Sequence, residues 1–141
     1  MITTVKDLCD AIRQAQRQKY PNFPPDYVPA PKRTDKTANG LTRCIIDMIV
    51  LHGGLAERVN VMGRQINGRW TRSHSLRGTA DIHATFAGRT IAIEVKIGKD
   101  RQSEAQKAYQ ERIERAGGVY FIAKDFATFA QWFNENFINH A

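Results

Sequence analysis

The stretch IAIEVKIGKD, Ile91 to Asp100, constrains the fold more than any other part of the chain. Ile91, Ile93, Val95 and Ile97 alternate with Ala92, Glu94 and Lys96. Strict alternation with β-branched residues at every second place is the pattern of an extended strand, whose successive side chains leave opposite faces. The apolar set can then enter a core, which leaves an acid and a base, Glu94 and Lys96, side by side on the other face. Upstream, Gly88 marks a turn, and Thr79 to Phe86 reads as a second strand, so the two strands form a hairpin.

The remaining elements follow from periodicity and caps. Residues 3 to 19 read as a helix capped by Thr3 or Thr4, with an apolar stripe of Val5, Leu8, Cys9, Ile12 and Ala15 and a basic outer face of Lys6, Arg13, Arg17 and Lys19. Five prolines between Pro21 and Pro31 exclude helix and central strand. This stretch is an arm, and Tyr20, Phe23 and Tyr27 suggest that it packs on its own domain or on a partner subunit. Residues 41 to 52 make a helix stopped by Gly53 and Gly54, and 56 to 65 alternate as a strand. A polar, basic loop follows with an Asn67-Gly68 turn signal. Residues 103 to 116 form a helix capped by Ser103, 119 to 123 a buried strand, and Asp125 caps a last helix with an aromatic stripe through Phe126, Phe129, Trp132, Phe133 and Phe137. The order α, arm, α, β, β, β, α, β, α predicts an α/β fold with a mixed sheet, divided into an N-terminal helix and arm over 1–38 and a main domain over 39–141.

Composition narrows the function classes. The 141 residues suit one domain. No apolar run reaches the roughly 20 residues of a membrane span, and the first residues lack a signal-peptide core, so a cytoplasmic location is expected. Cys9 and Cys44 are read as reduced thiols, without histidine spacing for a zinc site. The formal charge is +7, which favours polyanionic partners. Arg58, Arg64, Arg69, Arg72 and Arg77 are clustered, with no acid after Glu57 to balance them. Arginine's planar fork donates two parallel hydrogen bonds to phosphate.

The hairpin also assembles a chemical constellation. Asp81 precedes its turn and Glu94 follows it, and neighbouring strands lie about 5 Å apart. Parity places Ala80 and Ile82 opposite Asp81, as Ile93 and Val95 lie opposite Glu94. Two carboxylates that close repel unless neutralised, and hard oxygen donors suit Mg²⁺ or Mn²⁺. Lys96 leans to the same side, where an ammonium can hold a water or stabilise charge on a phosphate. The plain alternative is a solvated pair, Glu94 and Lys96, with Asp81 bound to an arginine.

The segment from Gly78 to Ala123 resembles the core of the PD-(D/E)XK nucleases, and most closely the stand-alone VRR-NUC type. The likeness rests on Gly78 and Asp81 in a G-x-x-D-I segment, on Glu94-Val95-Lys96 as E-V-K, on Gln106 in S-E-x-Q-x-x-Y and on the final AGGVYFI. It implies a restriction-endonuclease-like mixed central sheet flanked by helices. It further implies Asp81, Glu94 and the Val95 carbonyl as metal ligands, Lys96 as the catalytic lysine, and Gln106 as a contact to water or phosphate. Arg58, Arg64, Arg69, Arg72, Arg77, Lys99 and Arg101 become candidate DNA contacts. Relatives often carry a glutamate on the preceding helix, where this chain has only Asp47, which an i,i+4 pair with Arg43 explains equally well. The function implied is a Mg²⁺- or Mn²⁺-dependent DNA endonuclease, a homodimer acting on branched DNA such as four-way junctions. The runner-up is a repair exonuclease or a flap or nick nuclease, and the contrasting class is a non-catalytic DNA-binding module.

Overall fold

Ile82, Ile91 and Ile93 leave one face of a four-stranded sheet, and their burial dictates how the helices are laid on it. The computed structural model describes residues 1–59, 64–71 and 76–140. Its elements are helix α1 (Val5–Lys19), a 3₁₀ turn at Pro25–Tyr27 and helix α2 (Ala38–Leu51). Strands β1 (Leu55–Arg58), β2 (Arg64–Ile66), β3 (Arg69–Thr71), β4 (Ile82–Phe86) and β5 (Arg89–Val95) come next. Helix α3 (Glu104–Arg115), strand β6 (Val119–Ala123), helix α4 (Phe126–Phe133) and a π-helical segment (Asn134–Ile138) complete the chain. The protein is thus mixed α/β. The sheet order is β1-β4-β5-β6, with β6 parallel to β5 and the other pairs antiparallel.

The β4–β5 hairpin turns through Ala87 and Gly88, both at positive φ, as a two-residue turn between paired Phe86 and Arg89 requires. Antiparallel β1, β4 and β5 can be joined by short turns, whereas the parallel β5–β6 pair needs a crossover, and α3 supplies it. Ser103 begins α3 with a capping box closed by Gln106, and Gly117 and Gly118 follow its end.

One face of the sheet carries a large apolar core of Ile82, Ala84, Ile91, Ile93 and Val95 against α2 and α4, with Leu8 of α1 included. Phe129, Phe133 and Phe137 stack in sequence there, with Phe86 edge-on to Phe133. The other face holds a small cluster of Ala80, Ala92, Tyr109 and Tyr120 under α3. Three layers result, one of them thin and partly polar. No helix among the described residues is long and apolar enough to cross a membrane.

Three expectations change. The strand expected over 56–65 falls partly outside the described residues, at 60–63; on either side of them β1 ends at Arg58, and Arg64–Ile66 pairs with Arg69–Thr71 in a separate two-stranded sheet. The Asn67-Gly68 signal is therefore the tip of a ribbon, not part of an open loop. Ala80 does not share the face of Ile82 but joins the cluster under α3. The cause is Gly78, which sits at φ +75 with the backbone of Ala105 and Gln106 against it, so the chain runs off the sheet there and strand parity starts only at Asp81. Helix α2 begins three residues early because the Thr37 side chain caps Gly40.

Candidate metal and active site

Site geometry begins with register. Ile82 pairs with Ile93, so the next position brings Asp81, the residue just before β4, opposite Glu94 of β5. The Asp81 carboxylate is tied to the strand end: its Oδ2 accepts the Val95 backbone N–H at 2.8 Å. The Asp81 carbonyl accepts the N–H of Val59 just beyond β1, also at 2.8 Å. Asp81 is therefore held from both neighbouring strands, and Val95 enters the site through its backbone while its side chain belongs to the large core.

Glu94 is buried, with 3% of its surface exposed, although it is charged in its ordinary state. Its Oε1 accepts from Gln106 Nε2 at 2.9 Å and lies 3.9 Å from Lys96 Nζ. Its Oε2 is buried with no hydrogen-bond partner. Burial first, and then the neighbouring Asp81 charge, push the Glu94 carboxyl up to about 8, with Lys96 offsetting part of the rise. Asp81 comes within hydrogen-bonding reach of Glu94, yet two carboxylates offer no donor between them. A proton, or a cation held by oxygen atoms, would relieve the repulsion between them.

Lys96 is also buried, at 7% exposure. Its backbone N–H continues the β5–β6 pairing by donating to the Ala123 carbonyl at 2.9 Å. Its ammonium lies between Glu94 and Asp100, 3.5 Å from Asp100 Oδ2. The solvated-pair alternative fails on this point, because both Glu94 and Lys96 are covered.

Gln106 makes a direct contact to Glu94 that the sequence did not suggest. Its Oε1 accepts the Ser103 N–H at 2.8 Å while its Nε2 donates to Glu94. Gln106 thus fixes Glu94 from the first turn of α3, and the second N–H of its amide is not used in these two bonds. Asp47 leaves the site: Arg33 of the arm binds it at 2.7 Å, in place of the expected Arg43. Neighbouring arm residues are pinned as well, since the Thr34 carbonyl meets Cys44 Sγ and Asp35 Oδ2 accepts the Phe126 N–H at the start of α4.

The basic residues divide. Arg58 is exposed at the end of β1, paired with Ile82, the residue that follows Asp81, and bonds Asn39 Oδ1 at 2.6 Å. Arg77, Lys99 and Arg101 are exposed on the segments that enter and leave the carboxylate pair. Arg69 is exposed on β3, the backbone places Arg64 on β2, and Arg72 lies outside the described residues.

Sequence reasoning missed a polar group under α3. His83 follows Asp81 by two residues on the same face, and its Nε2 meets Tyr109 Oη at 2.7 Å, with the rings stacked at 14°. Burial pushes the His83 pKa down, toward the neutral ring. Gln102 reaches both Gln110 and Tyr120 beside it. The two-residue spacing from Asp81 was the signal that placed His83 on this face. Among the described residues no three of His, Cys, Asp and Glu converge as a metal-binding group, so the donors available are two carboxylates and backbone. Comparison of the chain with protein-family models and with curated proteins returns no match.

Proposed function

We propose that this protein is a divalent-metal-dependent DNA endonuclease of the restriction-endonuclease-like, PD-(D/E)XK type, close to the stand-alone VRR-NUC pattern. One observation carries the reading: a carboxylate pair in which Asp81 is half-buried and Glu94 is buried with an unpartnered Oε2, flanked by a buried lysine. A core built for stability alone rarely keeps an ionisable oxygen buried and unsatisfied, whereas sites of chemistry do.

Asp81 and Glu94 fit one Mg²⁺ or Mn²⁺, which takes one or two carboxylates and keeps water and phosphate as its other ligands. Such an ion, when bound, polarises a phosphate oxygen and lowers the pKa of bound water. Val95 is adjacent through its backbone, as the resemblance implies for a carbonyl ligand. Gln106 sets the orientation of Glu94. Lys96 presents an ammonium beside Glu94, positioned to offset charge that develops on a scissile phosphate. Arg58, Arg77, Lys99 and Arg101 surround these groups with exposed positive charge suited to backbone phosphates, which carry no base identity. Selectivity then falls on DNA shape, with branched DNA as the substrate class.

The proposal extends to a homodimer. Tyr20, Phe23 and Tyr27 are more than half exposed and line a groove of about 360 Å³ with Gln16, Val28 and Pro29. Their own domain leaves them uncovered, which supports a partner copy over an internal packing role.

The test compares four-way junction, flap, nicked and linear DNA with Mg²⁺ or Mn²⁺, and with metal chelated. Metal-dependent cutting, strongest on the junction, is expected, with Lys96→Ala lowering the rate at least a hundredfold. Equal cutting by Lys96→Ala would remove the lysine from the chemistry, and no cutting of any substrate would end the nuclease reading. Light scattering on the same protein should give the mass of two chains; a single-chain mass removes the dimer.

A further inference from the structure

The two-stranded sheet at residues 64–71 stands apart from the main sheet and was not part of the expected core. We propose that this ribbon is a duplex-binding arm that holds a double-stranded segment beside the carboxylate pair. The inference rests on the nuclease reading for its substrate and on three independent features of the chain for its form.

The first is where the ribbon is rooted. Its leading foot is β1, where Arg58 pairs with Ile82 and the Val59 N–H binds the Asp81 carbonyl at 2.8 Å. Its trailing foot is the Leu76–Thr79 turn, closed at 3.2 Å, with Gly78 seated against the backbone of Ala105 and Gln106. Both feet are thus fixed to the two elements that carry Asp81 and Gln106. Whatever the ribbon grips lies near the candidate site.

The second is charge. From Arg58 to Ala80 the chain holds five arginines, no lysine and no acid, which accounts for +5 of the formal +7. The charge responsible for the basic character of the protein is concentrated on this stretch of chain, with Arg58 and Arg77 at its two feet and Arg64 and Arg69 on the ribbon strands. The third is shape. Asn67 and Gly68, at φ 52 and 75, form the tight tip of an antiparallel pair, and Arg69 beside it is exposed. An isolated two-stranded hairpin is marginal in water by itself, so a binding partner is a natural source of its stability. The major groove of B-DNA, about 12 Å wide, admits a two-stranded ribbon. Strands of this length extend about 10 Å at ~3.3 Å per residue. A single strand offers phosphates but no groove.

The experiment is fluorescence anisotropy of the full chain in EDTA, with a labelled duplex of about 20 base pairs and the same strand alone. Wild type is expected to prefer the duplex. Arg64→Ala with Arg69→Ala should weaken duplex binding about tenfold or more at roughly 100 mM salt. It should also flatten the dependence of log K on log salt by nearly 2, about 0.9 per lost phosphate contact. Single-strand binding should fall less. Replacing residues 64–71 by a Gly-Ser linker of equal length gives a second variant, with thermal melting to verify that the main sheet persists. An unchanged duplex affinity and salt slope in both variants overturns the arm. Equal losses on duplex and single strand overturn its assignment to duplex. EDTA separates this result from hydrolysis. A chain that binds through the ribbon and never cuts sinks the nuclease reading alone, and one that cuts but ignores the substitutions sinks the ribbon alone.

Discussion

The same strands, β4 and β5, present Ile82, Ile91 and Ile93 to α2 and α4 on one side, and His83, Ala92 and Glu94 to α3 on the other. The first side is closed by aliphatic side chains and stacked phenylalanines. The second holds two small alanines, two tyrosines, a half-buried, neutral-leaning histidine and a carboxylate without its full complement of partners. One side gains stability from area removed from water. The other retains polar groups whose burial costs stability unless each finds a partner. The sheet thus separates the apolar, stabilising face from the polar one, and strand alternation makes this division possible without a second domain.

The comparison predicts opposite signs for removing a packed ring on the apolar face and for neutralising Glu94 on the polar one. The largest effect belongs to the apolar side. Phe133→Ala removes a ring packed on Phe129, Phe137, Phe86 and His52 and should cost about 3–5 kcal/mol in urea unfolding. Because whole domains hold only about 5–15 kcal/mol, a loss below about 1 kcal/mol would contradict the packing.

On the other face, Glu94→Gln should stabilise the metal-free protein. The folded state holds the Glu94 proton up to about 8, against an ordinary value of 4.5. Its contribution is fully present below pH 4.5, declines as pH rises from there, and is gone above about 8. In EDTA, wild type should therefore lose thermal stability across that window relative to Glu94→Gln. At pH 8 the variant should be ahead by on the order of 2 kcal/mol, and added Mg²⁺ or Mn²⁺ should narrow the gap by stabilising wild type. A variant that melts lower than wild type at pH 8 in EDTA would show that the Glu94 carboxylate is adequately paired as it stands.

The smallest effect sharpens the comparison within the polar face. Tyr109→Phe keeps the ring but removes its bond to His83. Because Tyr109 lies one turn after Gln106 on α3, that bond helps seat the helix end that fixes Glu94. The expected loss is about 1 kcal/mol in unfolding, with a several-fold fall in kcat at unchanged KM if DNA cleavage is established. Stability equal to wild type would show that the His83 contact contributes nothing to docking α3.

Much of this was legible in the chain. The Ser103 and Asp125 caps, the β5 alternation and the aromatic stripe of α4 are local patterns, and they correspond to elements within a residue or two. The pairing of Asp81 with Glu94 was also local, since a two-residue turn sets the register of its hairpin. What failed was less local. Ala80 changed faces because Gly78 meets a helix more than 25 residues downstream. Val59 leaves β1 toward Asp81, and the Arg64–Ile66 segment pairs with its own return strand; alternation alone does not reveal a partner.

Sequence alone determined that a hairpin would carry an acid on each strand and a lysine beyond, because period-two alternation and turn chemistry operate over a few residues. Only the tertiary structure decided which of those charges are covered. Helix α3 closes over Glu94 and commits Gln106 to it, while Arg33 from the arm draws Asp47 away. Those outcomes depend on surfaces brought together from distant parts of the chain, where burial and the competition among partners set the state of each charge.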